Sequence, residues 1–215
     1  RIVHASSSKV YGLIQSGPVP EEFRGNVNPV GEHSAYEEGK RAAESLFTAY
    51  HNQYGVDTRI ARLFNVYGPL NDGKVISGFI RNALYGENIT IRGNGTQTRC
   101  FLYIDDAVEA LVRMMGTDGN LSKPINIGGI DPMRIDALAE DVVNLTGSSS
   151  KTVRLNLTAD SVQHAIPDIR YARQRLGWEP LVPIEEGLVR TIKYFKNAMK
   201  SEKKPFPFMS WVEMM

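Results

Sequence analysis

The chain has 215 residues, with 25 Lys and Arg against 24 Asp and Glu and a formal net charge of +1. That balance gives no electrostatic reason to expect a nucleic-acid or membrane-surface partner, and no apolar run approaches the ~20 residues of a membrane-spanning helix. A single cysteine, Cys100, excludes an internal disulfide and argues against a cysteine-based metal site.

The chain opens at Arg1 directly into the apolar run Ile2 to Ala5, which reads as a buried strand ending in Ser6-Ser7-Ser8. Because it does not begin with Met, an upstream segment is expected. Residues 13 to 33 are rich in Pro, Gly, Glu and Asn and read as a loop. From Ser34 to Tyr54 the positions Ala42, Ala43, Leu46, Phe47 and Tyr50 recur at helical spacing, and Gly55 supplies a stop. Thr58 to Phe64 is a second strand, closed by Gly68-Pro69. A helix over Val75 to Leu84 follows, then short strands over Ile89 to Ile91 and Thr98 to Ile104. Asp105 and Asp106 stand where an N-cap belongs, before a helix over Ala107 to Met115. Pro124 to Ile127 and Val153 to Leu157 are strands. Arg134 to Leu145, Ile169 to Leu176 and Ile184 to Lys196 are helices, and residues 200 to 215 form a flexible tail.

Strands alternating with helices predict an α/β fold with a parallel sheet. The shorter strands after residue 70 suggest a smaller second lobe. The domains expected are residues 1 to 70, then a lobe over 71 to 199 with some segments returning to the first domain.

The strongest chemical motif is Tyr36-Glu37-Glu38-Gly39-Lys40, because residues four apart share one helix face. A free phenol has a pKa of about 10 and is a poor base at neutral pH. A fixed ammonium favours the phenolate, so the pair can take a proton from an alcohol. A Tyr and a Lys share a helix face often, so context has to strengthen the motif. Ser6-Ser7-Ser8 comes about 30 residues earlier, after a strand, and a hydroxyl there can orient a reacting alcohol. His4 and His164 have no metal spacing around them, and Trp178 after Gly177 reads as packing. Five Asn-x-Ser/Thr triplets begin at Asn88, Asn94, Asn120, Asn144 and Asn156 and matter only in a secretory compartment.

These stretches resemble the extended short-chain dehydrogenase/reductase superfamily and, within it, the UDP-glucuronate decarboxylase (UDP-xylose synthase) family. The likeness rests on Ala5-Ser6-Ser7-Ser8 with Val10-Tyr11-Gly12, Asn28-Pro29-Val30-Gly31, Tyr36 to Arg41, Ile60 to Asn65, Asn71 to Val75, Gly95 to Arg99, Pro124 to Gly128 and Leu176 to Pro180. It implies a partial Rossmann-type parallel sheet with helices on both faces, plus a small C-terminal α/β lobe for a UDP-sugar substrate. Enzymes of this family oxidise the 4-hydroxyl of UDP-glucuronate with NAD, lose CO₂ from the resulting β-keto acid, and reduce the ketone to UDP-xylose. By position, Tyr36 is then the base, Lys40 holds the nicotinamide ribose, and Ser7 bonds the reacting oxygen. Ala5, Ser6 and Asn65 lie along the cofactor, Asn65 also near the sugar, and Lys74 and Arg99 hold phosphates. No metal is implied. A homodimer is expected through the Tyr36 helix, with Ala42, Leu46 and Phe47 serving the sheet and Ala43, Tyr50 and Tyr54 facing the partner.

The departures are specific. The family has Glu at the position of Lys9, Arg-Lys-Pro where this chain has Ala165-Ile166-Pro167, and a further Arg after the position of Pro69. The first change removes a candidate proton relay, and the second a bidentate partner for a substrate carboxylate; Lys9 is a possible substitute cation. The Gly-rich phosphate loop of dinucleotide folds is absent, so this piece alone is expected to bind NAD weakly. A diverged non-enzymatic paralogue, or a 4-epimerase or 4,6-dehydratase, remain alternatives, and the compartment, cytoplasmic or Golgi lumen, depends on the upstream segment.

Overall fold

The computed structural model describes residues 1–14, 17–71, 74–121, 123–156 and 164–200. Asp72 and Gly73 of the Asn71 to Val75 stretch, the side chains of His164 and Ala165, and the tail after Lys200 lie outside the described residues. In chain order the first elements are β1 (Ile2–Ser7), a 3-10 turn (Ser8–Tyr11), β2 (Pro18–Val19), α1 (Ser34–Tyr54), β3 (Thr58–Leu63), β4 (Val66–Tyr67), α2 (Val75–Tyr85), β5 (Ile89–Arg92), β6 (Thr98–Cys100) and β7 (Leu102–Tyr103). They are followed by α3 (Ile104–Gly116), β8 (Ile125–Ile127), β9 (Pro132–Arg134), α4 (Ile135–Thr146), β10 (Thr152–Leu155), β11 (His164–Pro167), α5 (Arg170–Leu176) and α6 (Ile184–Lys200).

The chain divides into two compact units. The first comprises residues 1–66, 98–132 and 164–181. Its centre is a parallel sheet of order β1-β3-β8, with Ile2 to Ser7 opposite Thr58 to Leu63 and Ala61 to Leu63 opposite Ile125 to Ile127. The period-two alternation of a strand sorts its side chains between two faces. Val3, Ala61 and Leu63 join Ile125 and Ile127 in a core closed by Ala107, Ala110 and Met114 of α3, Ala172 and Leu176 of α5, and Trp178. Each large apolar side chain buried there contributes roughly 1.5–3 kcal/mol. His4, Ser6 and Arg62 point to the other face and meet α1. The expected α/β architecture, a parallel sheet with helices on both faces, is the one observed.

Two local expectations are corrected. The Pro-rich stretch 13–33 is not all loop, since Pro18 and Val19 pair in parallel with Ile166 and Pro167 of β11. That partner lies far along the chain, and Pro is tolerated at the first residue of a strand. The second concerns Asp105 and Asp106. Helix α3 starts at Ile104 with Tyr103 as its N-cap residue, so both carboxylates sit in the first turn, where the helix dipole favours them. Asp106 is buried; its carboxylate accepts the Leu181 N–H at 3.1 Å and its carbonyl the Trp178 indole N–H at 3.0 Å. Trp178 is therefore a packing residue, pinned through α3.

The far end of α3 is held by a buried cation. The Arg59 guanidinium donates to the carbonyls of Met114, Thr117 at 2.7 Å and Gly119 at 3.0 Å, and pairs with Asp57. The last carbonyls of a helix have no partner within it, and a positive charge suits that end of the dipole. The second unit comprises residues 67–97, 133–156 and 182–200. Helices α2, α4 and α6 pack on one another, and β5 pairs in parallel with β10.

Replacing Arg59 with Met strands three carbonyls near a buried helix end. We expect Arg59→Met to lower stability by about 3 kcal/mol, read as a lower urea midpoint with an unchanged slope. A midpoint equal to that of the wild type would show that the guanidinium is dispensable.

Candidate functional site

Helix α1 fits β1 through four side chains at helical spacing. Glu37, Lys40, Glu44 and Phe47 lie three or four residues apart and so share one face. Phe47 stacks on His4 at 4.7 Å between ring centroids. Glu44 accepts the Ser6 hydroxyl at 2.5 Å, and the Lys40 ammonium donates to the Ala5 carbonyl at 2.8 Å. Glu37 pairs with Lys9, in the turn after β1, at 3.7 Å. The helix ends at Gly55, whose φ of 66° is left-handed and lets its N–H reach the His51 carbonyl.

This registry corrects the expected sheet-facing stripe. Leu46 is 61% exposed and Ala42 is also exposed, whereas Phe47 does face the sheet. The contact face of α1 is largely polar because it carries Lys40 and Glu44, so apolar periodicity alone selects the wrong stripe. Ala42, Leu46, Tyr50 and Tyr54 form an outward row, with the rings of Tyr50 and Tyr54 5.4 Å apart.

Tyr36 and Lys40 are brought together as the motif predicts. The Lys40 ammonium lies 5.8 Å from the centre of the Tyr36 ring, and Tyr36 is half-exposed. One of the three Lys40 N–H donors is used on Ala5, leaving two for a ligand. Ser7 ends β1 and caps the 3-10 turn; its oxygen accepts the Lys9 N–H at 3.2 Å, so its hydroxyl hydrogen remains to donate. Ser6 differs, because its hydroxyl is buried and bonded to Glu44. Asn65 adopts a φ of 39°, and its amide donates to the Cys100 carbonyl at 3.0 Å. Arg99, half-buried on β6, donates to the Thr98 carbonyl at 2.9 Å, and burial pulls its pKa down. Lys74 belongs to the second unit, exposed at the start of α2. The set at β1 and α1 fits a dinucleotide's ribose, having an anchored ammonium with donors to spare beside an accessible phenol. Among the described residues no group of three His, Cys, Asp or Glu side chains could hold a metal.

Beneath the motif runs a buried polar network that motif reading misses. Arg62 grips Glu44 with two nitrogens, the shortest contact being 2.6 Å, and donates to the Tyr11 hydroxyl and the Glu21 carbonyl, each at 2.9 Å. Tyr11 donates to Asn126 at 2.8 Å, and Asn126 donates to the carbonyls of Val19 and Asp168 and to the Glu21 carboxylate. Burial pushes the Tyr11 phenol up to about 12 against the pull of Arg62. Burial also raises Glu21 and, with help from the Lys40 charge, lowers His4. The signal for Glu44 was present in the sequence, since it continues the Tyr36, Lys40 spacing by one more step of four.

Residues 1–128 match the NAD dependent epimerase/dehydratase family. The chain is 44% identical over 205 residues to UDP-glucuronic acid decarboxylase 1 of Xenopus tropicalis, covering 94% of this chain and 48% of that protein. To UDP-glucuronic acid decarboxylase 3 of Arabidopsis thaliana it is 47% identical over 191 residues, 87% of this chain and 55% of that one. It thus spans about half the length of these curated relatives. Among solved structures it is similar to UDP-glucuronic acid 4-epimerase from Bacillus cereus, in complex with UDP-glucuronic acid and NAD, with a TM-score of 0.83 and 31% identity over 91% of this chain and 61% of that one. It is also similar to dTDP-glucose 4,6-dehydratase from Streptomyces venezuelae with NAD bound, with a TM-score of 0.83 and 27% identity over 93% of this chain and 61% of that one.

The buried Tyr11 phenol has a pH consequence. Its folded pKa lies above the unfolded value of about 10, so unfolding releases a proton at high pH and stability falls as pH rises from about 10 to about 12. Tyr11→Phe should flatten that alkaline slope in urea titrations at successive pH values. An unchanged slope would remove Tyr11 from the alkaline transition.

Proposed function

The chain belongs to the NAD dependent epimerase/dehydratase family, and on that footing we propose that it is the Tyr-Lys half of an NAD-using enzyme acting on a UDP-sugar, with decarboxylation of UDP-glucuronate to UDP-xylose as its reaction. The observation that carries this reading is the Lys40 ammonium, fixed on the Ala5 carbonyl and held beside an accessible Tyr36. NAD, when bound, supplies the hydride acceptor and donor. Tyr36 takes the proton of the sugar's 4-hydroxyl and returns it to that oxygen when the ketone is reduced; C-5, where the bond to the departing CO₂ breaks, takes its proton from water. Lys40 stabilises the phenolate and directs its remaining donors at the ribose. Ser7 donates its hydroxyl hydrogen to the reacting oxygen, orienting it toward Tyr36. Ala5, Ser6 through its backbone, and Asn65 are proposed to line the cofactor, with Asn65 also facing the sugar. Lys74 and Arg99 are proposed as phosphate ligands, Lys74 as a point charge and Arg99 through its planar fork.

C-4 epimerisation is the second reading. Ala165-Ile166-Pro167 lacks the guanidinium that would hold a substrate carboxylate, and Lys9 is engaged with Glu37. The similarity to an epimerase solved with UDP-glucuronic acid fits the same scaffold. Product analysis separates the two, since CO₂ and a UDP-pentose mark decarboxylation whereas an isomer of unchanged mass marks epimerisation.

In the full-length protein Tyr36→Phe should lower turnover by at least about a hundredfold while leaving UDP-sugar affinity within about twofold, because only the proton acceptor is lost. Turnover retained within a few-fold would exclude Tyr36 as the base.

We further propose that the protein is a homodimer through the outer row of α1. Leu46, Tyr50 and Tyr54 are 61%, 56% and 64% exposed along one helix face, an apolar stripe that a solitary surface helix does not ordinarily leave in water. Leu46→Glu would place an unpaired charge in that contact. Sedimentation should show a wild-type dimer and a monomeric Leu46→Glu variant at micromolar concentration. A wild-type monomer would refute the dimer.

A further inference from the structure

We infer that the Lys9–Glu37 ion pair is a positioning device for the reaction, clamping the turn that carries Ser7 to the first turn of α1 that carries Tyr36. Glu37 immediately follows Tyr36, and its carboxylate is almost fully buried. Among the described residues its one side-chain partner is the Lys9 ammonium at 3.7 Å. Lys9 in turn donates its backbone N–H to the Ser7 hydroxyl oxygen at 3.2 Å. One residue therefore holds the Ser7 hydroxyl through its main chain and the Tyr36 turn through its side chain.

The surroundings suit this role. A negative charge in the first turn of α1 is favoured by the helix dipole, so Glu37 is a sound anchor there. A small cavity of about 20 Å³ lies against the pair, with Lys9, Leu13, Asn26, Asn28, His33 and Glu37 among its lining residues. It has room for one water bridging the two charges. The turn itself is fixed from behind: Gly12 has a φ of 61°, and a Cβ there would come within 2.3 Å of the Asn26 carbonyl oxygen. Loss of the ammonium leaves a nearly buried carboxylate without its counter-charge, a cost that a shift of the first turn of α1 toward water relieves. That shift disturbs Tyr36. The charge reversal at Lys9 thus has a partner built for it on the adjoining helix.

This inference rests on the proposed chemistry of Tyr36 and Ser7, so its test carries one readout that does not require turnover. In the full-length protein, Lys9→Met, Glu37→Gln, their double variant and Lys9→Arg are compared. The ¹³C ring resonance of Tyr36, identified by its loss in Tyr36→Phe, should move in both single variants and in the double alike, and stay near its wild-type position in Lys9→Arg. Turnover should fall about tenfold in each single variant with KM for the UDP-sugar within about twofold. The double should be no worse than the weaker single, as for two groups acting as one unit. A Tyr36 resonance unmoved in both singles, losses that multiply in the double, or a Lys9→Arg protein that behaves like Lys9→Met would overturn the clamp. If the wild type shows no turnover, the proposed function falls and the Tyr36 resonance alone decides the clamp. Should Lys9→Met fail to fold, Glu37→Gln supplies the same comparison.

Discussion

Arg62 and Glu44 form an ion pair in which both side chains are about nine-tenths buried. Moving two charges out of water costs several kcal/mol each, and attraction alone repays that only with close geometry and further hydrogen bonds. Both conditions hold here. The guanidinium meets the carboxylate through Nε and Nη2, Ser6 adds its hydroxyl to Glu44, and Nη1 donates to Tyr11 and to the Glu21 carbonyl. Through Tyr11 and Asn126 the network reaches Val19 and Asp168. Segments from six separate parts of the chain must be in place for this cluster to be satisfied. Its half-formed versions are costly, so it selects one arrangement of the first unit.

The registry of α1 on β1 follows from that pair. With Glu44 held at Ser6, the preceding turn delivers Lys40 to the Ala5 carbonyl, and the turn before that delivers Glu37 to Lys9. The first turn of α1, which carries Tyr36, is thereby tied to the turn that Ser7 caps. The helix face that would ordinarily carry apolar core residues is occupied by the groups that hold the site. The apolar surplus of α1, Ala42, Leu46, Tyr50 and Tyr54, is turned outward as a result. A site-bearing contact face and a hydrophobic outer face are two results of one constraint.

The departures from the family wording take on physical meaning in this setting. Lys9 pairs with Glu37 at 3.7 Å, so its charge already has a partner within the chain. Backbone pairing of β11 with both β2 and β6 sets Ala165-Ile166-Pro167 between two strands, a place where main-chain bonding dominates. The two proposed reactions share one oxidising half and differ in the fate of the ketone.

The sequence by itself determined the elements whose signals are local. The bounds of α1 at Ser34 and Tyr54 follow from its period and from Gly55, and the Tyr36–Lys40 pairing follows from helical geometry over four residues. The alternation of strands and helices was enough for the α/β class. What lies beyond neighbours on one element was decided by tertiary structure. The strand at Pro18 exists because β11 pairs with it, α3 begins at Ile104 and not after the aspartates, and the sheet-facing side of α1 is its polar one. Helical spacing puts Glu44 and Glu37 on the face of Lys40, but their partners Arg62 and Lys9 come from elsewhere in the chain. Local propensity fixes which residues share a helix face, but the partner that a buried charge requires is found only when distant segments meet, and that meeting sets which face turns inward.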